Sequence, residues 1–450
     1  MSVAHDPQGN PNDLGPFWMP FTPNKSFKEN PRIVSKAEGM HYYTTDGRKV
    51  LDAAAGLWCC NAGHGREAIV KAIQAQAAEM DFSPTFQFAH PKAFEAASRI
   101  SALAPGDLDH VFFTNSGSEA ADTALKIAIA YHRYNGEGSR TRLIGRVNGY
   151  HGVGFGGISV GGMSGNRKLY GPLLSGTDHL PETYNREHQA FTKGEPAWGA
   201  HLADELEALV KLHDASTIAA VIVEPVAGSG GVVPPPQGYL QRLREICDRH
   251  GILLIFDEVI CGFGRLGHAF AAERYGVTPD LLTFAKGVTS GTVPMGGVIA
   301  RKHVHDVVED EGQDRGPHEM RLYHGYTYSA HPLACAAAIA AQDVYRDEGL
   351  FERAKNIEPL FADAVMSLKG KVPVDDIRTV GLAAGFDVRP NPSAPGRNGY
   401  EVMSYLFNDL DMMVRLSGDT VCLSPALIVS EDEIATIVDK MGKAIQHVAG

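Results

Sequence analysis

Three short stretches carry residue types that could do chemistry together. Lys286 closes the apolar run Leu282-Thr283-Phe284-Ala285 and is followed by Gly287. An amine at that point is expected to be partly desolvated, which lowers its pKa and makes it a nucleophile toward an aldehyde. A lysine snorkelling from the end of a strand fits the same residues. Asp257 closes a second apolar run, Ile252 to Phe256, where a desolvated acid needs a cationic partner. Capping of a following helix is the competing explanation. Asn115-Ser116-Gly117-Ser118-Glu119 has the make-up of a phosphate cup: glycine lets the backbone approach, serine hydroxyls donate, and a helix N-terminus favours a dianion. The same pattern also caps helices that bind nothing.

One cation that suits Asp257 is the protonated ring nitrogen of pyridoxal phosphate, whose electron-sink chemistry depends on that proton staying in place. Tyr150-His151-Gly152 adds an aromatic ring able to stack on a planar cofactor, with ordinary core packing as the alternative.

These residues must be positioned by a common scaffold. His110 to Thr114, Leu143 to Gly145, Ala220 to Val223, Ile252 to Phe256 and Leu281 to Ala285 are short continuous apolar runs. Each ends in a polar or glycine-containing turn, and several lead into helical periodicity, which is the signature of a buried parallel sheet. In such a sheet the ligand site lies beyond the carboxyl ends of the strands, so residues distant in sequence are expected to converge there. Before this region, Met40 to Asp52 reads as two short strands joined by Asp46-Gly47. After it, an Ala-rich helix from Ala334 to Val344 leads to strands over Ile377 to Val388 and Val414 to Leu423. The first twenty residues read as an arm, with Phe17, Trp18 and Phe21 available for docking on another surface.

Composition narrows the functional classes. At 450 residues the chain is about three times a typical domain length, so two or more packed units are expected. The formal charge of −12 argues against a nucleic-acid backbone or an anionic membrane as partner. There is no signal-peptide pattern and no apolar stretch long enough to cross a bilayer. The six cysteines have neither zinc spacing nor the density of a disulfide framework, so no metal site is expected and a reducing, cytoplasmic location fits. Gly152 to Gly157 and Gly228 to Gly231 are glycine-rich but lack the strand, helix and acidic residue of a dinucleotide fingerprint.

In this order, Ser-Gly-Ser, Tyr-His-Gly, Glu224-Pro225, Asp257-Glu258-Val259 and Ala285-Lys286-Gly287 resemble the class III aminotransferases of fold type I, a pyridoxal-phosphate family. The resemblance covers nearly the whole chain. Trp18-Met19-Pro20-Phe21-Thr22, Gly56-Leu57-Trp58, the run from Asp257 to Arg265 and the run from His324 to Pro332 are similar to the β-alanine (ω-amino acid):pyruvate aminotransferases within it. The fold so implied is α/β, with a large domain built on a mostly parallel central sheet and a smaller α+β domain assembled from both chain ends. We place residues 1–62 in the small domain, 63–333 in the large cofactor-binding domain and 334–450 in the rest of the small domain.

The resemblance also implies roles. Lys286 holds the cofactor covalently and shuttles the proton between the substrate carbon and the cofactor's C4′. Asp257 pairs with the pyridinium nitrogen, Val259 and Tyr150 pack on opposite ring faces, and Ser116, Gly117 and Ser118 bind the phosphate. His151 joins the cofactor site, and Glu224 supports the cofactor's hydroxyl side from behind. Thr327 reaches the phosphate of a neighbouring subunit, so a homodimer with shared sites is implied, with a tetramer as a further possibility. Arg415 forks onto a substrate carboxylate, and Trp58, Phe86 and Tyr150 wall the donor pocket. Ser229 stands where ornithine-type enzymes carry a glutamate that neutralises this arginine, which favours pyruvate over 2-oxoglutarate as acceptor. Ile260 replaces their glutamine near the cofactor hydroxyl, so one ring contact is missing. The expected reaction is ping-pong transfer from an ω-amino acid such as β-alanine, or an amine, to pyruvate, through pyridoxamine phosphate. Taurine, putrescine, 4-aminobutyrate or aryl-alkyl amine donors are the near alternatives. An aminomutase, or a catalytically silent protein on the same fold, is more remote.

Overall fold

The computed structural model describes residues 14–309 and 319–450, so the first part of the expected arm lies outside the described residues. After the short helix Asn24–Glu29 come three strands: β1 (Val34–Glu38), β2 (His41–Thr44) and β3 (Lys49–Asp52). The turn between β2 and β3 falls at Asp46-Gly47, where Gly47 has φ +86°, a conformation that glycine adopts without a Cβ penalty.

Seven strands then build the central sheet: β4 (Leu108–Thr114), β5 (Arg142–Arg146), β6 (Thr177–Leu180), β7 (Ile218–Val223), β8 (Leu253–Asp257), β9 (Leu281–Ala285) and β10 (Gly296–Arg301). Their spatial order is β4-β10-β9-β8-β7-β5-β6. The run from β9 through β6 is parallel, and β10 is antiparallel to both of its neighbours. Every residue of β7, β8 and β9 is buried, which is why these strands read as unbroken apolar runs rather than as alternating ones.

The helix Gly117–Tyr134 lies across this sheet. Its buried face holds Ala121, Ala124, Leu125, Ala128 and His132, and His132 is tied to the sheet by a 2.9 Å bond from Nε2 to the Ala219 carbonyl. The Ala-rich segment forms the helix Pro332–Asp347, with Pro332 in its first turn and the His331 side chain accepting from the Leu333 amide. Proline suits that position because its missing N–H has no helical partner there.

The remaining strands are β11 (Val374–Val380), β12 (Ala383–Val388), β13 (Met412–Met413), β14 (Arg415–Ser417) and β15 (Thr420–Leu423). The two C-terminal spans expected as strands are each a hairpin, broken at Gly381 (φ +54°) and Gly418 (φ +61°). They assemble as β11-β12-β15-β14. β13 instead joins the N-terminal strands, pairing in parallel with β3 through Met412 and Leu51, so that sheet draws on both ends of the chain. Arg265 clamps the parts together from a fully buried position, donating to the Leu382 carbonyl at 3.1 Å and to Asn61 Oδ1 at 2.9 Å.

Candidate active site

The parallel strands bring their carboxyl ends to one edge of the sheet. Gly296, the first residue of the antiparallel β10, sits opposite both Thr114 and Ala285, which aligns that edge with the ends of β4 and β9. Beyond it lies a cavity of about 200 Å³. Lys286 enters it from β9, Asp257 from β8, Glu224 from the residue after β7, and Tyr150, His151 and Gly152 from the loop after β5. Gly117 and Ser118 contribute from the turn after β4, with Val259 and Ile260 just past Asp257.

Lys286 is the first residue of a short 3-10 turn and has φ +53°, an uncommon conformation for a residue with a side chain. Its side chain lines this cavity and is largely buried, so it is not a snorkelling surface lysine. Burial lowers its pKa, while the charges of Asp257, Cys59 and Glu224 act in the opposite direction.

Asp257 is 5% exposed and is held from three sides. Its Oδ2 accepts from His151 Nδ1 at 2.8 Å, and its Oδ1 accepts from the Thr283 hydroxyl at 3.1 Å and the Val259 amide at 3.2 Å. Thr283 is its register partner on β9. No helix begins at Asp257, the next one being Ala271–Tyr275, so helix capping does not explain the acid. Because Nδ1 of His151 donates to the carboxylate, the tautomer is set by this contact. Its buried Nε2 has no protein partner.

The turn after β4 behaves partly as a cap and partly as a cradle. Ser116 is the N-cap of the helix Gly117–Tyr134, its side chain accepting from the Glu119 amide at 3.2 Å, and it lies outside the cavity lining while Gly117 and Ser118 lie within it. The first amides of the helix have no partner inside it and are available to an anion. Contacts here are tight. A Cβ on Gly117 would lie 2.8 Å from Val259 Cγ1, and one on Gly152 (φ +88°) would overlap Ser118 Oγ.

Glu224 is buried and organises the neighbouring loops. Its carboxylate accepts from the Tyr150 amide at 2.8 Å and the Gly228 amide at 3.1 Å. Burial raises its pKa, with His151 opposing. Ile260 packs against the same loop, 2.7 Å from where a Cβ on Gly228 would sit.

The remaining candidates are placed differently. Arg415 is exposed on β14, opposite Cys422, yet its charge is felt by Lys286 and Tyr150. Ser417 on the same strand donates to the Ser229 carbonyl at 2.7 Å, joining the Arg415 hairpin to the loop that follows Glu224. Trp58 is buried with φ +64° and lies outside the cavity lining. Phe86 is 56% exposed, with its ring against Gly325. Thr327 is exposed. Within one chain, Tyr150 alone of the three expected pocket aromatics reaches the cavity.

Residues 24–445 match the family model of the class-III aminotransferases. The chain belongs to that family. This aminotransferase is 56% identical over 439 residues to an omega-aminotransferase of Caulobacter vibrioides, with 98% of both chains covered. It is 47% identical over 438 residues to a beta-alanine--pyruvate aminotransferase of Pseudomonas aeruginosa, with 97% of each covered. Among solved structures, an amine transaminase from an uncultivated Pseudomonas species, crystallised with PLP bound, is 35% identical with a TM-score of 0.89. That likeness covers 97% of this chain and 100% of the other.

Two residues of the aminotransferase site were not apparent in the sequence. Thr283 is hidden inside an apolar run, and only strand register shows that it faces Asp257. Gly228 is one of many glycines, and its amide matters only because Glu224 folds back onto it.

Proposed function

We propose that this aminotransferase uses pyridoxal phosphate to move an amino group from an ω-amino acid such as β-alanine, or a related amine, to pyruvate by ping-pong half-reactions. The observation that carries the reading is a lysine amine of lowered pKa lining the same cavity as a hydrogen-bonded aspartate. The relatives named for omega-amino and beta-alanine substrates support the donor class.

The residues fit the cofactor. The cradle at Gly117, Ser118 and Gly152 is too close for side chains at the glycines and presents free helix amides, which suits a phosphate. Tyr150 and Val259 both line the cavity and supply surfaces for the two faces of a flat ring, while Asp257 supplies an anion for its nitrogen. Pyridoxal phosphate, when bound, supplies an aldehyde that captures amines and an electron sink for the adjacent carbon.

The chain's own residues do the rest. Lys286 holds the cofactor aldehyde between turnovers. Once freed as a neutral amine, it takes and returns a proton at the substrate carbon, and the lowering of its pKa by burial raises the neutral fraction. Asp257 keeps a proton on the ring nitrogen, and His151 and Thr283 orient its carboxylate. Glu224 fixes the backbone of Tyr150 and of Gly228. Arg415 takes the carboxylate of β-alanine or pyruvate in two parallel hydrogen bonds, a geometry lysine lacks. Position 229 is a serine and offers no acid to neutralise it, which favours pyruvate as acceptor.

We further assign Ser116 to the phosphate turn, Trp58 and Phe86 to the donor corridor, and Thr327 to the phosphate of a neighbouring copy, making the working unit a homodimer or an assembly of dimers. The division at residues 62/63 and 333/334 and a cytoplasmic location belong to the same reading. Among the described residues no helix is long and apolar enough to cross a membrane. A screen of kcat/KM over β-alanine, 4-aminobutyrate, taurine, putrescine and an aryl-alkyl amine, each with pyruvate and with 2-oxoglutarate, tests the reading. A preference for β-alanine and pyruvate is expected. A clear preference for carboxylate-free donors would overturn the donor assignment, and turnover without any keto acid would point to an aminomutase.

A further inference from the structure

The segment that joins β3 to the large sheet has an unusual backbone. Ala55, Gly56 and Trp58 have φ of +45°, +66° and +64°, and the turn they form sets Cys59 and Cys60 side by side. Their sulfurs are 4.0 Å apart and neither is in a disulfide. On one side, a Cβ on Gly56 would lie 3.4 Å from each sulfur. On the other, a Cβ on Gly291 would lie 3.0 Å from Cys60 Sγ and 3.2 Å from Cys59 Sγ. Gly291 donates its amide to the Lys286 carbonyl at 3.2 Å. The two thiols are therefore packed against the turn that holds Lys286 in its left-handed conformation.

The pair is asymmetric. Cys60 is buried and Cys59 keeps part of its surface open. The hydrogen bond between the two sulfurs lowers the pKa of the Cys59 thiol, with burial and Asp52 opposing, and pushes that of the more buried Cys60 up. A partly open thiol beside a buried second thiol that can resolve it is the arrangement found in redox-sensitive cysteines. The other four cysteines are buried with thiols shifted upward, burial being the leading cause.

We propose that Cys59 and Cys60 are a redox-modified dithiol, oxidised by hydroperoxides to a disulfide that disturbs the Lys286 turn and lowers turnover. The Cys59 thiolate attacks the peroxide. Its O–O bond breaks, one oxygen stays on sulfur as a sulfenic acid and the other leaves as hydroxide or alkoxide. Cys60 then displaces that oxygen, losing its proton, so the S–S bond forms and water leaves. The pair gives up two electrons and the peroxide takes them. Thiols restore the pair by exchange. Only the effect on turnover rests on the proposed reaction, so the modification and the activity are read separately.

The test treats the holoenzyme with hydrogen peroxide, blocks free thiols, and reads peptide masses alongside turnover. The peptide containing both cysteines is expected to lose two hydrogens while turnover falls roughly fivefold or more, both reversed by dithiothreitol. Cys59→Ser is expected to resist inactivation, whereas Cys60→Ser is expected to oxidise beyond the reach of dithiothreitol. Oxidation confined to other residues in the wild-type protein would overturn the proposal, and this result needs no variant to fold. Inactivation of Cys59→Ser at the wild-type rate would also overturn it. A disulfide formed without loss of turnover would remove its link to Lys286.

Discussion

The strand ends that line the cavity and the hairpin that carries Arg415 are built on opposite principles. At the strand ends, Asp257 and Glu224 are buried and held by hydrogen bonds from neighbouring loops and strands. At the hairpin, Arg415 is exposed on a three-residue strand, and its link to the rest of the site is indirect, through the 2.7 Å contact of Ser417 with Ser229. The chemistry proposed to be common to every donor thus falls to groups whose desolvation is offset by fixed partners. The discrimination among donors proposed for Arg415 would rest on a charge in high dielectric, where an exposed guanidinium costs little and its contribution to binding depends on the ligand.

Substitutions should separate these regions. The largest effect is expected for Lys286→Ala: loss of both covalent capture and proton transfer should lower turnover by at least ~10⁴-fold for every donor. Single-turnover spectra and steady-state rates check it. Asp257→Asn should follow. A preorganised charge is removed from the buried site, and kcat should fall about 10²- to 10³-fold, again irrespective of donor. Arg415→Ala should behave otherwise, with a loss of about 1.5–3 kcal/mol for pyruvate and β-alanine and a much smaller one for simple amines. Equal losses across donors would erase the distinction between strand ends and hairpin.

The smallest effect concerns stability. The Lys286 amine has a folded-state pKa below the ordinary lysine value of 10.5. Between those two values the unfolded chain binds the extra proton, so stability rises with pH across that window. Lys286→Met should therefore raise the unfolding midpoint of the cofactor-free protein near pH 7, and the gain should shrink as pH approaches 10.5. Calorimetry at several pH values would show it. A constant difference at all pH values would mean that packing, not charge burial, sets the change.

What was legible in the sequence follows the same division. Lys286, Asp257 and Glu224 stand out because unbroken apolar runs end on them, and a parallel sheet places such ends together. β10 was not apparent: Gly296-Gly297 lowers its strand signal, and its antiparallel direction is fixed by pairing with β4 and β9. The hairpin break at Gly381 is a single residue within an apolar stretch, whereas the one at Gly418 lies in Ser417-Gly418-Asp419, whose turn chemistry the sequence does show. The cap at Ser116 illustrates a different ambiguity, because capping and phosphate binding use the same residue types. Trp58, assigned above to the donor corridor, does not line the cavity within one chain. Its positive φ, a backbone property invisible in composition, helps set where its ring goes.

Lys286 is the amine proposed to hold the cofactor. Borohydride reduction of the holoenzyme, followed by digestion and peptide mass analysis, tests it directly. A pyridoxyl adduct on the peptide containing Lys286, absent from Lys286→Ala, is the expected result. An adduct on a different lysine, or none from a preparation that turns over donor and pyruvate, would contradict it.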